Sequence, residues 1–153
     1  MKIEEIRLLP LRGATPDGGW DEKLLQDDTN LHTLVEVITD EGVTGVGSVF
    51  TSETLVRGAV DVLRPFLYGA SAIDPTATTE RLHQQSFWQG RGGAITHAIS
   101  GIDIALWDLF GKVTGQPISR LLGGRYRETI KPYASLLMDQ EGSMERSEEH
   151  TSE

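Results

Sequence analysis

The chain of 153 residues contains no cysteine, which excludes disulfide staples and thiol chemistry. Aromatic residues make up only 7%, and acidic side chains outnumber basic ones by 23 to 14, which gives a net charge of −9. A net charge of this sign disfavours nucleic-acid binding through a basic face. We therefore expect no nucleic-acid partner.

Long apolar runs are also missing. No stretch approaches the ~20 apolar residues that a membrane-spanning helix needs. Residues 1–10 mix charges of both signs with apolar side chains, whereas a signal peptide has an uninterrupted apolar block. We therefore expect no membrane partner and a cytoplasmic protein. The length fits one domain of ordinary size, which can bury a core without a structural metal.

Alternating apolar and polar residues predict three strands in the first third of the chain, over residues 3–11, 31–39 and 43–50. Asp40-Glu41-Gly42 is typical of a tight turn between the second and third strands. Together these segments predict a three-stranded antiparallel meander. The polar stretch 12–30 predicts a loop longer than most connections, and such loops often carry function.

Helical periodicity replaces the strand pattern after residue 51. Apolar residues from Leu55 to Phe66 predict a helix that Thr51 or Ser52 caps. Asp74 followed by Pro75 is typical of a helix start and predicts a second helix that runs to about residue 88.

A third helix is predicted from about residue 94 to 114, mostly buried and closed by Gly115, and a short one follows Pro117. Residues 130–137 predict one more strand. The expected fold class is therefore α+β, with a three-stranded antiparallel meander followed by a helical bundle.

Three patterns could carry chemistry. Gly42-Val-Thr-Gly45-Val-Gly47 has glycine spacing similar to a nucleotide loop, but it lies in a hairpin and opens no helix, so nucleotide binding is disfavoured. No two of the four histidines have the i, i+4 spacing of a metal-binding helix. Asp108 and Lys112 do have that spacing and predict a surface ion pair, whereas Asp103 needs a hydrogen-bond partner if it is buried. A structural role is favoured for both aspartates.

The stretch 98–112, Ala-Ile-Ser-Gly-Ile-Asp-Ile-Ala-Leu-Trp-Asp-Leu-Phe-Gly-Lys, is followed by Gln116-Pro117 and Leu121-Leu-Gly-Gly-Arg125. This set resembles the enolase superfamily, in its mandelate racemase and muconate lactonising enzyme branch. The opening Met1-Lys-Ile, the hairpin segment 39–47 and Tyr133-Ala-Ser135 fit the same template in the same order.

The resemblance implies an enolase-like N-terminal capping domain over residues 1–129 and the first strand of a (β/α)8 barrel over 130–138. A whole barrel needs ~250 residues. The tail 139–153 has a single large apolar residue, Met144, and we expect it to be disordered. Its last eight residues, Arg146-Ser-Glu-Glu-His-Thr-Ser-Glu153, resemble a translated sequencing adapter. We therefore expect a non-native tail and a natural protein that continues from near Asp139.

The resemblance also implies a chemistry. Members of the superfamily remove the proton next to a carboxylate with a Lys or His base, and Mg²⁺ held by three acidic ligands stabilises the resulting enediolate. Those groups lie on later barrel strands, so we assign no catalytic residue and no metal ligand to this chain. We expect the fragment to be inactive and to bind no magnesium itself. The full-length enzyme is expected to act on a small-molecule carboxylate substrate as a homo-oligomer.

In the family the cap closes over the substrate with two loops, which match residues 12–30 and 48–52 here. We predict that Trp20 and Phe50 point into the substrate pocket, with Thr51 and Arg12 as polar contacts. The alternative is that both aromatic rings pack against the helices of the cap.

The resemblance also bears on the subfamily. The segment 90–97 and the tryptophan in the first loop favour an acid-sugar dehydratase. Racemase, epimerase and cycloisomerase chemistry stay open, and so does a stand-alone binding or assembly module.

Overall fold

The computed structural model describes residues 1–11 and 32–132. The strands are β1 (Ile3–Pro10), β2 (Thr33–Thr39) and β3 (Thr44–Val49), and they form one antiparallel sheet in the order β1-β2-β3. The helices are α1 (Glu53–Leu67), α2 (Pro75–Gln85), α3 (Ala94–Thr114) and α4 (Ile118–Leu121), with a 3-10 turn at Phe87–Gln89. The predicted α+β class and the meander are confirmed.

The sheet has one covered face. Along β2 the side chains of Thr33, Val35, Val37 and Thr39 are buried, whereas the residues between them are only half-buried. Helix α3 packs against β2 and β3, and α1 packs against β1. Because successive side chains of a strand point to opposite faces, the buried side chains of β2 lie on the face that the helices cover. The largest fully buried aliphatic side chains are Ile3, Val35, Val37, Val56, Leu63, Leu67, Leu82, Ile99, Ile102, Leu106 and Leu109.

Two glycines allow α3 to lie very close to β3. A Cβ atom on Gly45 would be 2.0 Å from the carbonyl oxygen of Ala105, and one on Gly47 would be 2.0 Å from that of Gly101. No side chain fits at either position, because these distances are far below van der Waals contact. The glycines of the hairpin thus serve close packing of backbone on backbone, which agrees with disfavouring a nucleotide loop.

Helix α3 has the predicted bounds and ends at Gly115, whose φ of 63° is left-handed. The predicted extension of α2 to about residue 88 is wrong, since α2 ends at Gln85. The hydroxyl and the backbone N–H of Ser86 both donate to the carbonyl of Leu82, at 2.7 and 3.0 Å, so Ser86 closes the last turn of the helix. The backbone then tightens into the 3-10 turn.

The predicted side-chain cap of α1 is also wrong. Ser52 occupies the N-cap position, but its hydroxyl makes no capping hydrogen bond. Only its carbonyl takes part, accepting the N–H of Val56 at 3.1 Å. Asp74 likewise precedes α2 without capping it, because its carboxylate accepts the hydroxyl of Ser71 at 2.6 Å.

The described part of the predicted barrel strand has no regular structure. Residues 130–132 are not in a strand, and the side chain of Ile130 is 84% exposed. The remainder of 130–138 and the whole tail 139–153 lie outside the described residues. A strand forms only beside a hydrogen-bonded neighbour. The barrel strand and the domain boundaries around it stay predictions.

Candidate functional site

The candidate site is the connection between β3 and α1 at one end of the sheet. It consists of residues 50–52 and is shorter than the predicted loop, because Ser48 and Val49 belong to β3. Across this end of the sheet lies His32, immediately before β2. The rings of His32 and Phe50 meet edge to face, with centroids 4.8 Å apart and planes at 82°. Of the predicted site residues, Arg12 and Trp20 lie outside the described part of the chain.

Both residues of this ring pair are exposed. The side chain of Phe50 is 60% exposed and does not belong to the buried core. The alternative that its ring packs among the helices is therefore not what the structure shows. An exposed aromatic ring at this end of the sheet can pack against a ligand or a neighbouring domain.

Thr51 is half-buried, and its backbone is tied to the sheet. Its carbonyl accepts the hydroxyl of Thr33 at 3.0 Å, and Thr33 is a fully buried residue at the start of β2. On the other side, α1 begins at residue 53. The connection is thereby fixed at both ends, so the exposed Phe50 ring stands on a defined backbone.

Glu53, the first residue of α1, is a feature that the sequence reasoning missed. Its Oε1 atom is buried and makes no well-aligned hydrogen bond, although it forms an ion pair with Arg57 one turn further on. The side chain of Glu53 is 19% exposed. A carboxylate in the first turn also interacts favourably with the helix dipole. The i, i+4 order of acid and base was readable in the sequence.

The two aspartates of α3 have structural partners. Asp108 pairs with Lys112 at 2.7 Å, which confirms the predicted ion pair, and it also accepts the N–H of Val46 at 2.8 Å. Asp103 accepts the hydroxyl of Thr79 at 2.7 Å and so links α3 to α2.

A second concavity lies between the end of α2 and the start of α3. This cleft has a volume of about 340 Å³. Above the ring of Phe87, the guanidinium of Arg91 stands 5.1 Å from the centroid. The cleft is lined by Glu80, His83, Gln84, Ser86, Phe87, Gly90, Arg91 and Thr96. Part of the segment 90–97 thus forms its wall.

Within residues 1–11 and 32–132 no three His, Asp or Glu side chains are grouped so that they could hold a metal ion. The described residues do not fit a magnesium site, and no chemical step through the ion is assigned to them. In the same residues no helix has the length and apolarity that a bilayer crossing requires.

Comparison with known proteins gives these features a context. The family description "Mandelate racemase / muconate lactonizing enzyme, N-terminal domain" matches residues 26–123. The D-galactarolactone cycloisomerase of Agrobacterium fabrum is 36% identical over 137 residues, which is 88% of this chain and 35% of that protein. The D-xylonate dehydratase of Haloferax volcanii is 35% identical over 113 residues, covering 72% of this chain and 27% of the relative.

Solved structures agree. The 3,6-anhydro-D-galactonate cycloisomerase of Zobellia galactanivorans superposes with a TM-score of 0.72 at 29% identity, over 87% of this chain and 35% of that one. The chain thus spans about a third of the length of the relatives it matches. It belongs to the mandelate racemase and muconate lactonizing enzyme branch of the enolase superfamily, of which it represents the N-terminal domain.

Proposed function

We propose that this chain is the capping domain of an enzyme that acts on an acid sugar by removing the proton next to a carboxylate. Dehydration is the first candidate reaction and cycloisomerisation the second. The observation that carries the proposal is the family match over residues 26–123. It is supported by the names of similar proteins, among them a D-galactarolactone cycloisomerase, a D-xylonate dehydratase and an L-rhamnonate dehydratase.

The candidate reactions share their first step, the loss of a proton from the carbon beside a carboxylate. Superfamily enzymes stabilise the resulting charge with Mg²⁺ and take the proton with a Lys or His base. The described residues contain no group of acids suited to the ion. The base and the metal ligands are therefore proposed to lie in segments beyond this domain, and the cap contributes no proton transfer.

The contribution proposed for the cap is to shape the pocket and exclude water. Phe50 presents an exposed ring beside the half-buried Thr51, on a backbone that the hydroxyl of Thr33 holds. An apolar ring over a bound sugar acid would remove water from the reacting carbon and strengthen the electrostatic interactions beneath it. Trp20 and Arg12 are proposed to complete the same rim from the preceding loop.

Exposed apolar side chains at the other end of the described chain favour a cap over a stand-alone binding module. Leu122, Tyr126 and Ile130 are all largely exposed, and they follow one another in the residues that lead out of the helical bundle. Several large exposed apolar side chains in one segment are typical of a surface that a second domain covers.

The direct test is a domain exchange. Residues 1–129 would replace the corresponding N-terminal domain of the A. fabrum D-galactarolactone cycloisomerase, and kcat and KM would be measured with Mg²⁺. We expect turnover by the chimera and none by the 153-residue chain alone. In the chimera, Phe50→Ala should raise KM about tenfold, because contacts to the bound substrate are lost.

The matched control is Val62→Ala, which shortens a partly exposed apolar side chain on α1 and should leave KM unchanged. Turnover by the isolated chain would refute the capping role. A folded chimera in which Phe50→Ala and Val62→Ala behave alike would refute the role assigned to Phe50.

A further inference from the structure

Among residues 1–11 and 32–132, strand β3 lies at an edge of the sheet, since the order is β1-β2-β3. An edge strand normally presents unpaired N–H and C=O groups to solvent or to another chain. Two of these groups are taken by side chains of α3. The N–H of Val46 donates to Oδ2 of Asp108 at 2.8 Å, and Nζ of Lys112 donates to the carbonyl of Thr44 at 2.9 Å.

The two side chains also bind each other. Nζ of Lys112 lies 2.7 Å from the same Oδ2 atom of Asp108 that accepts the Val46 N–H. The result is a closed chain of contacts from the backbone of β3 through both side chains and back to β3. Surface ion pairs alone contribute little to stability, but here each charge also satisfies a backbone group.

The spacing of the two elements makes this arrangement possible. One turn of helix separates Asp108 from Lys112 by ~6 Å along the axis, and two strand residues separate Thr44 from Val46 by about the same distance. Helix and strand run in opposite directions, as the contacts of Gly45 with Ala105 and of Gly47 with Gly101 require. The close approach at these glycines brings the short side chain of Asp108 within hydrogen-bonding distance of the strand edge.

We infer that Asp108, assisted by Lys112, is a positioning residue that fixes the free edge of β3 to α3 and so holds the Phe50 ring in place. Phe50 follows the last residue of β3 directly. The functional importance of that ring rests on the proposed function, whereas the fixing of the strand does not. The same contacts block the addition of a further strand at this edge.

The test compares Asp108→Ala, Asp108→Asn and Lys112→Ala in the 153-residue chain. Hydrogen exchange of the Val46 amide should accelerate about tenfold in Asp108→Ala, because its acceptor is lost and the edge opens locally. The nuclear Overhauser effect between the His32 and Phe50 rings should weaken at the same time. Asp108→Asn keeps an oxygen acceptor and should restore much of the Val46 protection, a rescue that a general loss of stability would not show.

Lys112→Ala leaves the bond from Val46 to Asp108 intact and should give a smaller acceleration, which keeps the inference testable if Asp108→Ala does not fold. The matched control is Asp61→Ala, which breaks the exposed ion pair between Asp61 and Arg64 on α1 without touching the sheet. Wild-type exchange at Val46 in the folded Asp108→Ala protein, or equal acceleration in Asp61→Ala, would overturn the inference. Failure of Phe50→Ala to change KM in the chimera would refute the substrate contact proposed for Phe50 and leave the fixing of β3 by Asp108 standing.

Discussion

Gly47 faces Gly101 so closely that a Cβ atom on Gly47 would lie 2.0 Å from the Gly101 carbonyl oxygen. Gly101 is itself tightly enclosed, because a Cβ on it would lie 2.7 Å from Cγ1 of Val49, two residues further along β3. At Gly45 and Gly47, the backbone of β3 therefore packs directly on the backbone of α3. The position of the strand that leads to the candidate site depends on the absence of a Cβ atom at these two residues.

Gly47→Ala should lower the free energy of unfolding by about 3 kcal/mol or more, because backbone atoms of α3 cannot yield to the new methyl group. The matched control is Gly58→Ala in α1, where a Cβ would meet nothing within 4 Å. That change should raise stability by ~0.5–1 kcal/mol, since alanine is the better helix former. Urea denaturation of the three proteins measures both effects. Equal stability of the two variants would contradict the close packing.

Thr33→Val should cost about 1–2 kcal/mol of unfolding free energy, because it keeps the side-chain shape but leaves the Thr51 carbonyl without its donor. Thr33→Ser keeps the hydroxyl but removes the methyl group. Comparing it with Thr33→Val therefore distinguishes the contribution of the hydrogen bond from that of methyl packing. The control Thr114→Val removes a hydroxyl that bonds only to the carbonyls of Phe110 and Gly111 within its own helix. If Thr33→Val and Thr114→Val denature at the same urea concentration, the bond to Thr51 is not a stabilising tie.

Phe50→Ala should leave the stability of the chain nearly unchanged, because the ring is mostly exposed. Leu106→Ala, at a fully buried position of α3, should instead cost ~2–5 kcal/mol. Thermal unfolding followed by circular dichroism distinguishes the two. A large loss of stability in Phe50→Ala would mean that the ring belongs to the core and is not available to a substrate.

The N-terminal amino group of Met1 lies 2.9 Å from Oε1 of Glu41, and this hydrogen bond raises the pKa of the amino group above its ordinary value of 8.0. A raised pKa means that the folded state favours the charged amine. The contribution to stability is therefore complete below pH 8 and is lost as the pH rises through the higher pKa of the folded protein.

Glu41→Gln should bring the pKa of the amino group back toward 8 and remove the corresponding pH dependence of stability. An NMR titration of the amino group and urea midpoints between about pH 7 and 10 measure the two quantities. Glu4→Gln, on the neighbouring strand β1, serves as a charge-matched control. An unchanged titration in Glu41→Gln would exclude Glu41 as the cause.

The parts of the fold that depend on local pattern follow from the sequence. The alternation of apolar and polar residues in β2 identifies the face that is buried. The helical periodicity of residues 94–114 and the glycine that follows them predict the bounds of α3. Helix α3, predicted to be mostly buried, buries one face, whereas Ile104 and Val113 are exposed; the buried apolar side chains are Ala98, Ile99, Ile102, Ala105, Leu106 and Leu109. The end of α2 at Gln85 was missed because no glycine or proline marks it in the sequence before Gly90.

The site was less predictable, since its defining contacts join residues far apart in the chain. No periodic pattern in the sequence indicates the hydrogen bond from Thr33 to Thr51. None indicates the close packing of Gly45 and Gly47 on α3 either. The pairing of Asp108 with Lys112 could be predicted from their spacing, but their attachment to the edge of β3 could not, because it requires the relative position of helix and sheet.

The close packing of Gly45 and Gly47 on α3 also limits which residues of the proposed cap can be changed to alter substrate specificity. Positions 45 and 47 accept no side chain at all, and the intervening Val46 is fixed through its backbone N–H. Within the described part of the proposed rim, sequence change is therefore better tolerated at residues 50–52, which follow the strand, than at positions 45 and 47. A library of variants at residues 50–52 should change the shape of the proposed pocket while most of its members still fold. A library that also varies positions 45 and 47 should consist mainly of unfolded chains.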